Sequence, residues 1–430
     1  MKTVQKILPN NLKCIFVDTN EFPTATVLLV VKTGSRNERK QINGIAHFIE
    51  HMLFKGSKRF PSSFVINATI DGLGGIVNAF TAKDHTGFWV KAPVEHIETI
   101  LTILADMIQR PLLPEDQIER EKKVIIEEIN SYEDSPSDKI SDIFSETIYP
   151  DDPLGWDIAG TKTSVSSLEK KDIIAFMRRH YRPGNAVLVV AGGLSANGFS
   201  INTITKKVQN TFLSWSGKVS SQKFHAKQST TNKLHVHHKK TEQAHFAFGF
   251  PTFKLIDERR YALTVLTTIL GAGMSSRLFM KLREELGLCY YVYTSKHYYE
   301  DSGYMVSYAG VTNSHEHVAQ ALKSMWDEHD SFVKGQITNE EIKRAKEILK
   351  GRTLIALENS MHVASMYAMK YLFEQTLANP KEIIEKIEQV TKDEIISVAH
   401  DIIAPQRLHI GIIGPFDKSQ FDITTIFDHN

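Results

Sequence analysis

The chain has 430 residues and a formal net charge of +1 at pH 7, and hydrophobic residues make up 42% of it. This length supports about two to four domains, and the balanced charge gives no electrostatic reason to expect nucleic acid or an anionic membrane as a partner. The only two cysteines, Cys14 and Cys289, exclude a disulfide framework and a cysteine-rich zinc module.

The N-terminal stretch, MKTVQKILPNNLK, lacks the apolar core of a signal peptide. No run of the sequence approaches the roughly 18 consecutive apolar residues that a membrane span requires. We therefore expect a soluble, cytoplasmic protein.

Apolar periodicity in the first half of the chain predicts alternating strands and helices. In chain order, the pattern predicts two short strands within residues 3–18, a strand at 24–33, helices at 44–56 and 62–71, strands at 76–82 and 85–92, helices at 94–109, 114–132, 138–148 and 167–180, a strand at 186–192 and a helix at 198–215.

The helix predicted at 44–56 carries the spacing H-x-x-E-H in His47, Glu50 and His51. Residues i and i+4 of a helix lie one above the other, so both imidazoles can bind one metal ion. The carboxylate of Glu50 lies beside them, where it can hold a water molecule and take its proton. This is the H-E-x-x-H zinc motif in reversed order. Because buried histidines are common in protein cores, the motif needs a third ligand to become decisive.

The long helix predicted at 114–132 offers four glutamates as the third ligand: Glu119, Glu121, Glu127 and Glu128. Glu121 and Glu128 are seven residues apart and share a face. Val124 and Ile125 indicate that this face points inward, where an unpaired carboxylate is costly. Spacing alone does not choose between Glu127 and Glu128.

Residues 216–233 are polar and aperiodic, and they predict a linker between two related units. After the linker, residues 301–308 (DSGYMVSY) match residues 85–92 (HTGFWVKA), and an amphipathic helix and an acid-rich helix start follow each. We predict a catalytic, zinc-binding repeat at residues 1–215 and a second repeat without metal at residues 234–430.

The second repeat has no H-x-x-E-H motif; the segment matched to it is residues 271–287, GAGMSSRLFMKLREELG. When Ile118 is aligned with Ile342, Arg352 falls opposite Glu128. The motif is therefore not a requirement of the fold, and only the first repeat is predicted to bind metal.

Four ordered segments resemble the pitrilysin/insulinase family of zinc metallopeptidases. They are HFIEHMLFKG (47–56), GGIVNAFTAKDHT (74–86), EREKKVIIEEI (119–129) and LREELGLCYYV (282–292). The resemblance points to the short two-domain class that includes the mitochondrial processing peptidase β subunit and bacterial processing proteases. It implies an α+β fold of two homologous repeats, each a largely antiparallel sheet packed with helices on one side.

Carried over by position, the resemblance implies that His47, His51 and Glu128 bind one Zn²⁺ per chain. Glu50 would be the general base, and Glu121 would orient and polarise the site. The motif itself does not distinguish zinc from manganese or cobalt.

The resemblance also implies a peptide-binding edge strand, to which an extended peptide would add as a further strand. The implied substrate contacts are Phe54, Val77, Asn78, Ala79, Phe80 and Thr81. Arg283 and Tyr290 resemble a pair, contributed by a second-type domain, that stabilises the oxyanion of the tetrahedral intermediate.

These features together predict a zinc-dependent endopeptidase that cleaves extended or unfolded peptides. Because one chain carries both H-x-x-E-H and the Arg/Tyr pair, we expect a self-sufficient homodimer with two active sites. One alternative is a non-catalytic peptide-binding or assembly subunit of the same fold. Another is a metal enzyme of different chemistry, such as the S-ribosylhomocysteine lyases, whose chains are much shorter and unduplicated.

Overall fold

The computed structural model describes residues 1–20, 22–219 and 223–427. The linker predicted at 216–233 thus lies partly outside the described residues. The strands are β1 (Lys2–Ile7), β2 (Lys13–Asp18), β3 (Thr24–Val31), β4 (Ile76–Thr81), β5 (Thr86–Pro93), β6 (Ala186–Gly192), β7 (Lys233–His238), β8 (Gln243–Pro251), β9 (Cys289–Tyr298), β10 (Gly303–Thr312) and β11 (His409–Gly414).

The helices of the first repeat mostly follow the predicted bounds. In chain order, the helices are α1 (Ile45–Leu53), α2 (Ser63–Gly72), α3 (Ile97–Gln109), α4 (Glu115–Asp134), α5 (Pro136–Ile148), α6 (Lys162–Ser167), α7 (Lys170–His180), α8 (Ile201–Phe212), α9 (Arg260–Gly271), a π-helical segment (Phe279–Glu285), α10 (His315–Val333), α11 (Asn339–Ala356), α12 (Ser360–Glu374), α13 (Pro380–Gln389) and α14 (Lys392–Ile402).

The chain folds into two compact units, and each is assembled from segments that are distant in the sequence. Unit 1 comprises Met1–Ile129, Asp157–Lys223 and Leu354–Ala378, and unit 2 comprises Asn130–Trp156, Phe224–Thr353 and Asn379–Asn430. The chain passes from one unit to the other within α4 and within α11.

The sheet of unit 1 has the strand order β1-β2-β6-β3-β5-β4. Only the pair β2/β6 is parallel; the other pairs are antiparallel. β4 therefore lies at one edge, with β5 as its neighbour. The largely antiparallel sheet and the α+β class predicted from the sequence are confirmed.

One face of this sheet packs against α1, α3 and α8, in a core that includes Leu29, Phe48 and Leu104. The opposite face is equally apolar, and α12 covers it through Val363, Ala364 and Tyr367, among others. We expected helices on one side only. The structure adds α12 on the other side, because the β-branched strands are apolar on both faces.

The sheet of unit 2 has the order β7-β11-β8-β10-β9, in which only β7/β11 is parallel. Helices α9, α10 and α14 cover one face, and α5 covers the other. Helices α5 and α12 occupy the same place in the two repeats, directly after α4 and α11. The repeats have thus exchanged them: α5 packs on the sheet of the second repeat and α12 on that of the first.

Two details of the repeat alignment are wrong. Phe88 packs with the helix layer of unit 1, whereas its match in residues 301–308, Tyr304, packs beneath α5. Met305 is the residue that faces the helix layer of unit 2. A slip of one residue exchanges the two faces of a strand, so the match was off by one. Element order also places α9, rather than residues 271–287, opposite α1.

The helix predicted at 167–180 corresponds to α7, which begins three residues later than predicted, and the preceding helix α6 ends at Ser167. Leu168 adopts extended backbone dihedrals after α6, and α7 begins two residues later, at Lys170. Within the described residues, no helix combines the length and apolar composition that a membrane crossing requires.

Candidate metal centre

Helix α1 is embedded in the core of unit 1 by its apolar residues. Six of its nine residues are buried: Ile45, Ala46, Phe48, Ile49, Met52 and Leu53. This burial fixes the rotation of the helix about its axis. The half-buried side chains of His47, Glu50 and His51 consequently point towards α4 and β4 rather than into the core.

The N-terminus of α1 begins at Gly44, whose backbone has φ = 95°. Glycine is suited to this conformation, and a Cβ there would lie 2.5 Å from the carbonyl oxygen of Ala159. Since Gly44 has no side chain to cap the helix, the buried Glu38 does so. Its Oε2 accepts from the N–H of Gly44 at 2.8 Å and from Nδ2 of Asn43 at 2.9 Å, and its Oε1 accepts from the N–H of Ala46 at 2.8 Å.

The two histidines of α1 face each other through their Nε2 atoms, which are 3.2 Å apart. The other nitrogen of His51, Nδ1, lies 2.9 Å from Oε1 of Glu121. Since the carboxylate can only accept, we assign the proton of His51 to Nδ1. Nε2 of His51 is then left with a lone pair, as metal coordination requires.

Glu128 places its carboxylate beside the Nε2 atoms of both histidines. Its Oε1 is 3.8 Å from Nε2 of His47, and its Oε2 is 3.6 Å from Nε2 of His51. Glu127, the alternative left open by the spacing, has an exposed side chain and does not join this cluster. Helix α4 therefore places Glu128 at the edge of its buried stripe.

We expected Val124 on the buried side of α4, but its side chain is 50% exposed. The buried stripe contains Glu121 and Ile125. At about 100° per residue, Val124 lies on the opposite side of Glu121 from Ile125 and points to solvent.

Glu121 is buried, and its two carboxylate oxygens contact His51 and Lys55. Besides His51, Nζ of Lys55 lies 2.7 Å from its Oε2. Burial raises the pKa of this carboxyl, but the hydrogen bonds from His51 and Lys55 outweigh that effect and hold the pKa of Glu121 below its usual range. The Glu121 carboxyl that contacts His51 is therefore ionised at neutral pH.

The environment of His47 favours its neutral form. Burial, reinforced by the neighbouring His51, lowers the pKa of His47 to about 4. A neutral imidazole is the form that binds metal. Among the described residues, Nδ1 of His47 is buried without a hydrogen-bond partner.

The ligand atoms of His47, His51 and Glu128 all lie within 4.8 Å of one another. Zinc binds nitrogen and oxygen ligands at about 2.0–2.2 Å, so tetrahedral ligands lie about 3.3–3.6 Å apart. The separations of 3.2, 3.6 and 3.8 Å come close to this range. The donor set, two neutral imidazoles and a carboxylate, is one that zinc accepts in hydrolytic sites.

Glu50 lies beside the cluster and contacts β4. Its Oε2 accepts a hydrogen bond from Oγ1 of Thr81, at 2.5 Å. Burial raises the pKa of Glu50, and the hydrogen bond from Thr81 acts in the opposite direction. The contact ties the carboxylate to the edge strand. We had assigned Thr81 to substrate, whereas its hydroxyl is engaged with Glu50.

The edge strand β4 presents a backbone donor on the side away from β5. The N–H of Ala79 donates to Oδ1 of its neighbour Asn78 at 2.8 Å, so it points away from β5. Asn78 is exposed, while Val77 packs partly against the helix-side core. The side chain of Phe80 lies on the other face, against the core beneath α12.

The remaining predicted residues lie elsewhere. Phe54 ends α1 and is partly buried against the core of unit 1. Arg283 and Tyr290 belong to unit 2, where Nη1 of Arg283 donates to the carbonyl oxygen of Tyr290 at 3.0 Å. Tyr290 is 75% exposed. The two residues are therefore in direct contact within unit 2.

Sequence reasoning missed Glu38 and Lys55. Neither belongs to the H-x-x-E-H motif. A glutamate six residues before a glycine that begins a helix was the available signal for Glu38, but its long-range cap depends on the turns of the intervening loop. Lys55 is recognisable only once Glu121 is known to be buried beside it.

Family models match most of the chain. Residues 14–162 match the family described as Insulinase (Peptidase family M16), and residues 167–349 match the Peptidase M16 inactive domain. A protein of Streptomyces coelicolor named as an uncharacterized zinc protease is 32% identical over 424 residues, which cover 96% of this chain and 90% of that relative. The chain belongs to the insulinase family, peptidase family M16. The resemblance inferred from four segments is thereby confirmed.

Other members of family M16 match over a similar length. The uncharacterized zinc protease YmxG of Bacillus subtilis is 33% identical over 406 residues, 94% of this chain and 97% of that protein. The crystal structure of a protease from Helicobacter pylori superposes with a TM-score of 0.90 at 24% identity, covering 96% of this chain and 99% of that one. A peptidase M16 inactive domain from Pseudomonas fluorescens has a TM-score of 0.88 at 18% identity, with coverage of 97% and 98%. At these identities the two solved structures establish the shared two-domain fold.

We predict that Glu38→Gln loosens the start of α1. Glutamine offers one carbonyl oxygen, so it cannot accept from Gly44, Asn43 and Ala46 together, and each buried unsatisfied donor costs about 1–3 kcal/mol. Urea unfolding should show a loss of this order, and zinc titration a weaker affinity. Glu119→Gln, an exposed change on α4, serves as the matched control.

The loss should depend on pH. Burial raises the pKa of Glu38 to about 7 from a usual 4.5, against the hydrogen bonds it accepts and the charge of Lys83. Across that window the folded protein binds more protons at Glu38 than the unfolded chain does. The contribution of Glu38 to stability therefore declines as the pH rises. The stability difference between wild type and Glu38→Gln should narrow from the lower to the upper end of the window, and a constant difference would contradict this account.

Proposed function

We propose that the protein is a zinc-dependent endopeptidase that cleaves extended or unfolded peptides. The observation that carries the proposal is the convergence of His47, His51 and Glu128 on one point, with Glu50 between that point and an edge strand. A core histidine pair would not need a carboxylate on each side of it.

Zinc is the metal that we propose, with one ion per chain held by His47, His51 and Glu128. The spacing of these ligand atoms and their chemistry fit zinc, and relatives that match nearly the whole chain carry the name zinc protease. When bound, zinc acts as a Lewis acid that activates water and the peptide carbonyl for hydrolysis.

Glu50 is proposed to act as general base and then as general acid. It accepts a proton from the attacking water and passes it to the leaving amine, which balances the protons over the cycle. Thr81 holds one oxygen of Glu50, which leaves the other oxygen available to the reacting water. Glu121, fixed by Lys55, keeps His51 in the tautomer that coordinates metal.

The substrate is proposed to bind as an additional strand along β4. The outward N–H of Ala79 would donate to a carbonyl oxygen of the peptide once Oδ1 of Asn78 moves aside. Val77 and Thr81 flank this donor on the same strand. Recognition through backbone atoms leaves side-chain preference loose and requires an extended, unfolded substrate.

Arg283 and Tyr290 are proposed to stabilise the oxyanion of the tetrahedral intermediate, and the working enzyme is proposed to be a cytoplasmic homodimer. Family resemblance supports the oxyanion role and the dimer. The guanidinium already lies over the ring of Tyr290, with its carbon 5.2 Å from the centroid, so the pair can act as one donor group. The two alternatives to a peptidase have no observation of the site in their favour.

Glu50→Gln is expected to abolish peptide cleavage while leaving the metal in place. General acid–base groups contribute about 10²- to 10⁴-fold, so kcat/KM on an internally quenched, unstructured peptide should fall by that factor. Zinc content, measured by inductively coupled plasma mass spectrometry, should stay equal to that of the wild type. A chelator should remove activity from the wild type.

The control for this experiment is Glu119→Gln, which changes the same residue type at a side chain that is 69% exposed. Wild-type cleavage by Glu50→Gln would exclude Glu50 as the base. Bound zinc with no cleavage of any peptide by the wild type would instead favour the non-catalytic subunit.

Ala79→Pro tests the edge strand. Proline removes the outward N–H and is tolerated on edge strands, because no ladder hydrogen bond is lost. One net hydrogen bond contributes about 0.5–1.5 kcal/mol, so kcat/KM should fall about two- to tenfold. Ala79→Val keeps the N–H and should cleave as the wild type does. Equal kcat/KM values for the two variants would exclude backbone recognition at Ala79.

Mixing two inactive variants tests whether protomers share sites. His47→Ala removes a metal ligand and Arg283→Ala removes an oxyanion donor. If each site takes residues from both protomers, a random mixture contains half heterodimers with one intact site each, and about a quarter of the wild-type activity should return. Differently tagged chains would prove that heterodimers form. No recovery from proven heterodimers would show that sites are not shared.

A further inference from the structure

Unit 2 repeats the framework of the metal centre without its ligands. Its edge strand is β9, its helix α9 takes the place of α1, and α11 takes the place of α4. Helix α9, RYALTVLTTILG, carries neither histidine nor glutamate. The positions that face this empty framework hold two cations, Lys296 on β9 and Arg352 on α11.

Lys296 lies on the inner face of β9. It pairs with Met305, and Met305 belongs to the core beneath the helices of unit 2. Directly opposite residues of two strands share a face, so the side chain of Lys296 points to the same helix layer. Thr294, two residues earlier on this face, would contact a Cβ added at Gly271, the last residue of α9. Lys296 thus lies where β9 and the end of α9 meet.

Arg352 reaches the same end of α9. Its Nη2 donates to the carbonyl oxygen of Ala272 at 2.8 Å. Outside the two chain neighbours of Gly273, Nη2 is the one atom of the described residues within 4 Å of a Cβ built there, so the guanidinium borders open space. A guanidinium carries five N–H donors, and this contact uses one of them.

Within the described part of the chain, no carboxylate pairs with either cation. Lys296 makes no hydrogen bond or ion pair with any described residue, and the group that acts on it electrostatically is Arg352. Burial, reinforced by Arg352, lowers the pKa of Lys296 to about 8. By contrast, the half-buried Arg277 of the same unit is paired with Glu341 at 2.6 Å. A partly buried cation next to a second cation is costly unless an anion joins them.

We propose that Lys296 and Arg352 form a binding site for an oxyanion, either a carboxylate or a phosphate, at the end of α9. The site is the charge-inverted counterpart of the metal centre: acids and imidazoles bind a cation in unit 1, and an amine and a guanidinium bind an anion in unit 2. Arg352 offers a planar fork that suits both oxyanions, and Lys296 adds a point charge. The site does not depend on the proposed peptidase activity.

The test is the pKa of Lys296, measured by NMR after reductive ¹³C-methylation of the full-length protein, with Lys296→Met to assign its signal. An anion that binds the charged amine tenfold more tightly raises its pKa by one unit. Inorganic phosphate should therefore raise the pKa saturably, by about one unit or more. A peptide with a free C-terminal carboxylate, compared with its C-terminal amide, distinguishes a peptide carboxylate from free phosphate as the source of the anion.

Arg352→Gln should abolish the saturable shift, whereas Arg344→Gln, an exposed change on the same helix, should preserve it. A thermal measurement adds a readout that needs no assignment: at matched ionic strength, phosphate should stabilise the wild type more than Arg352→Gln. A pKa that neither phosphate nor the carboxylate peptide moves would overturn the proposal. A shift that persists in Arg352→Gln would overturn it as well.

Discussion

The geometry of the site depends on the burial of one face of α1. Six apolar side chains lock the nine-residue helix against the sheet and its neighbouring helices, which leaves one orientation for the polar side. The imidazoles of His47 and His51 then meet at 3.2 Å, and Glu128 can reach both. A helix free to rotate by one residue, about 100°, would turn both imidazoles away from α4. Packing therefore determines the position of the ligands before any metal is considered.

The carboxylates around this histidine pair differ in their electrostatic environment. Glu121 is buried, paired with Lys55 and charged, so it fixes the proton of His51. Glu50 lies in an environment that raises its pKa, as suits the proton transfer that we propose for it. Glu121 and Glu50 are the same residue type, and their surroundings alone shift their pKa values in opposite directions.

The exchange of α5 and α12 between the repeats has a clear physical basis. Each sheet is apolar on both faces, and the helix that follows α4 or α11 leaves its own repeat to cover the second face of the other sheet. Within unit 1, the exchanged helix α12 is also joined to β3 by a buried hydrogen bond of 2.9 Å between Ser360 and Thr26. Each compact unit consequently requires both halves of the chain, although the two repeats are consecutive in sequence.

The sequence by itself determined the family, the α+β class, most element bounds of the first repeat and the residues H-x-x-E-H, because periodicity and short motifs are local properties. It narrowed the third ligand to the glutamates of α4 but did not choose Glu128 over Glu127, since that choice depends on how α4 packs against α1. Tertiary structure also decided the Glu38 cap, the engagement of Thr81 with Glu50 and the cations of unit 2. Each joins residues whose proximity arises only when separate elements pack, and no local pattern of residues encodes that contact.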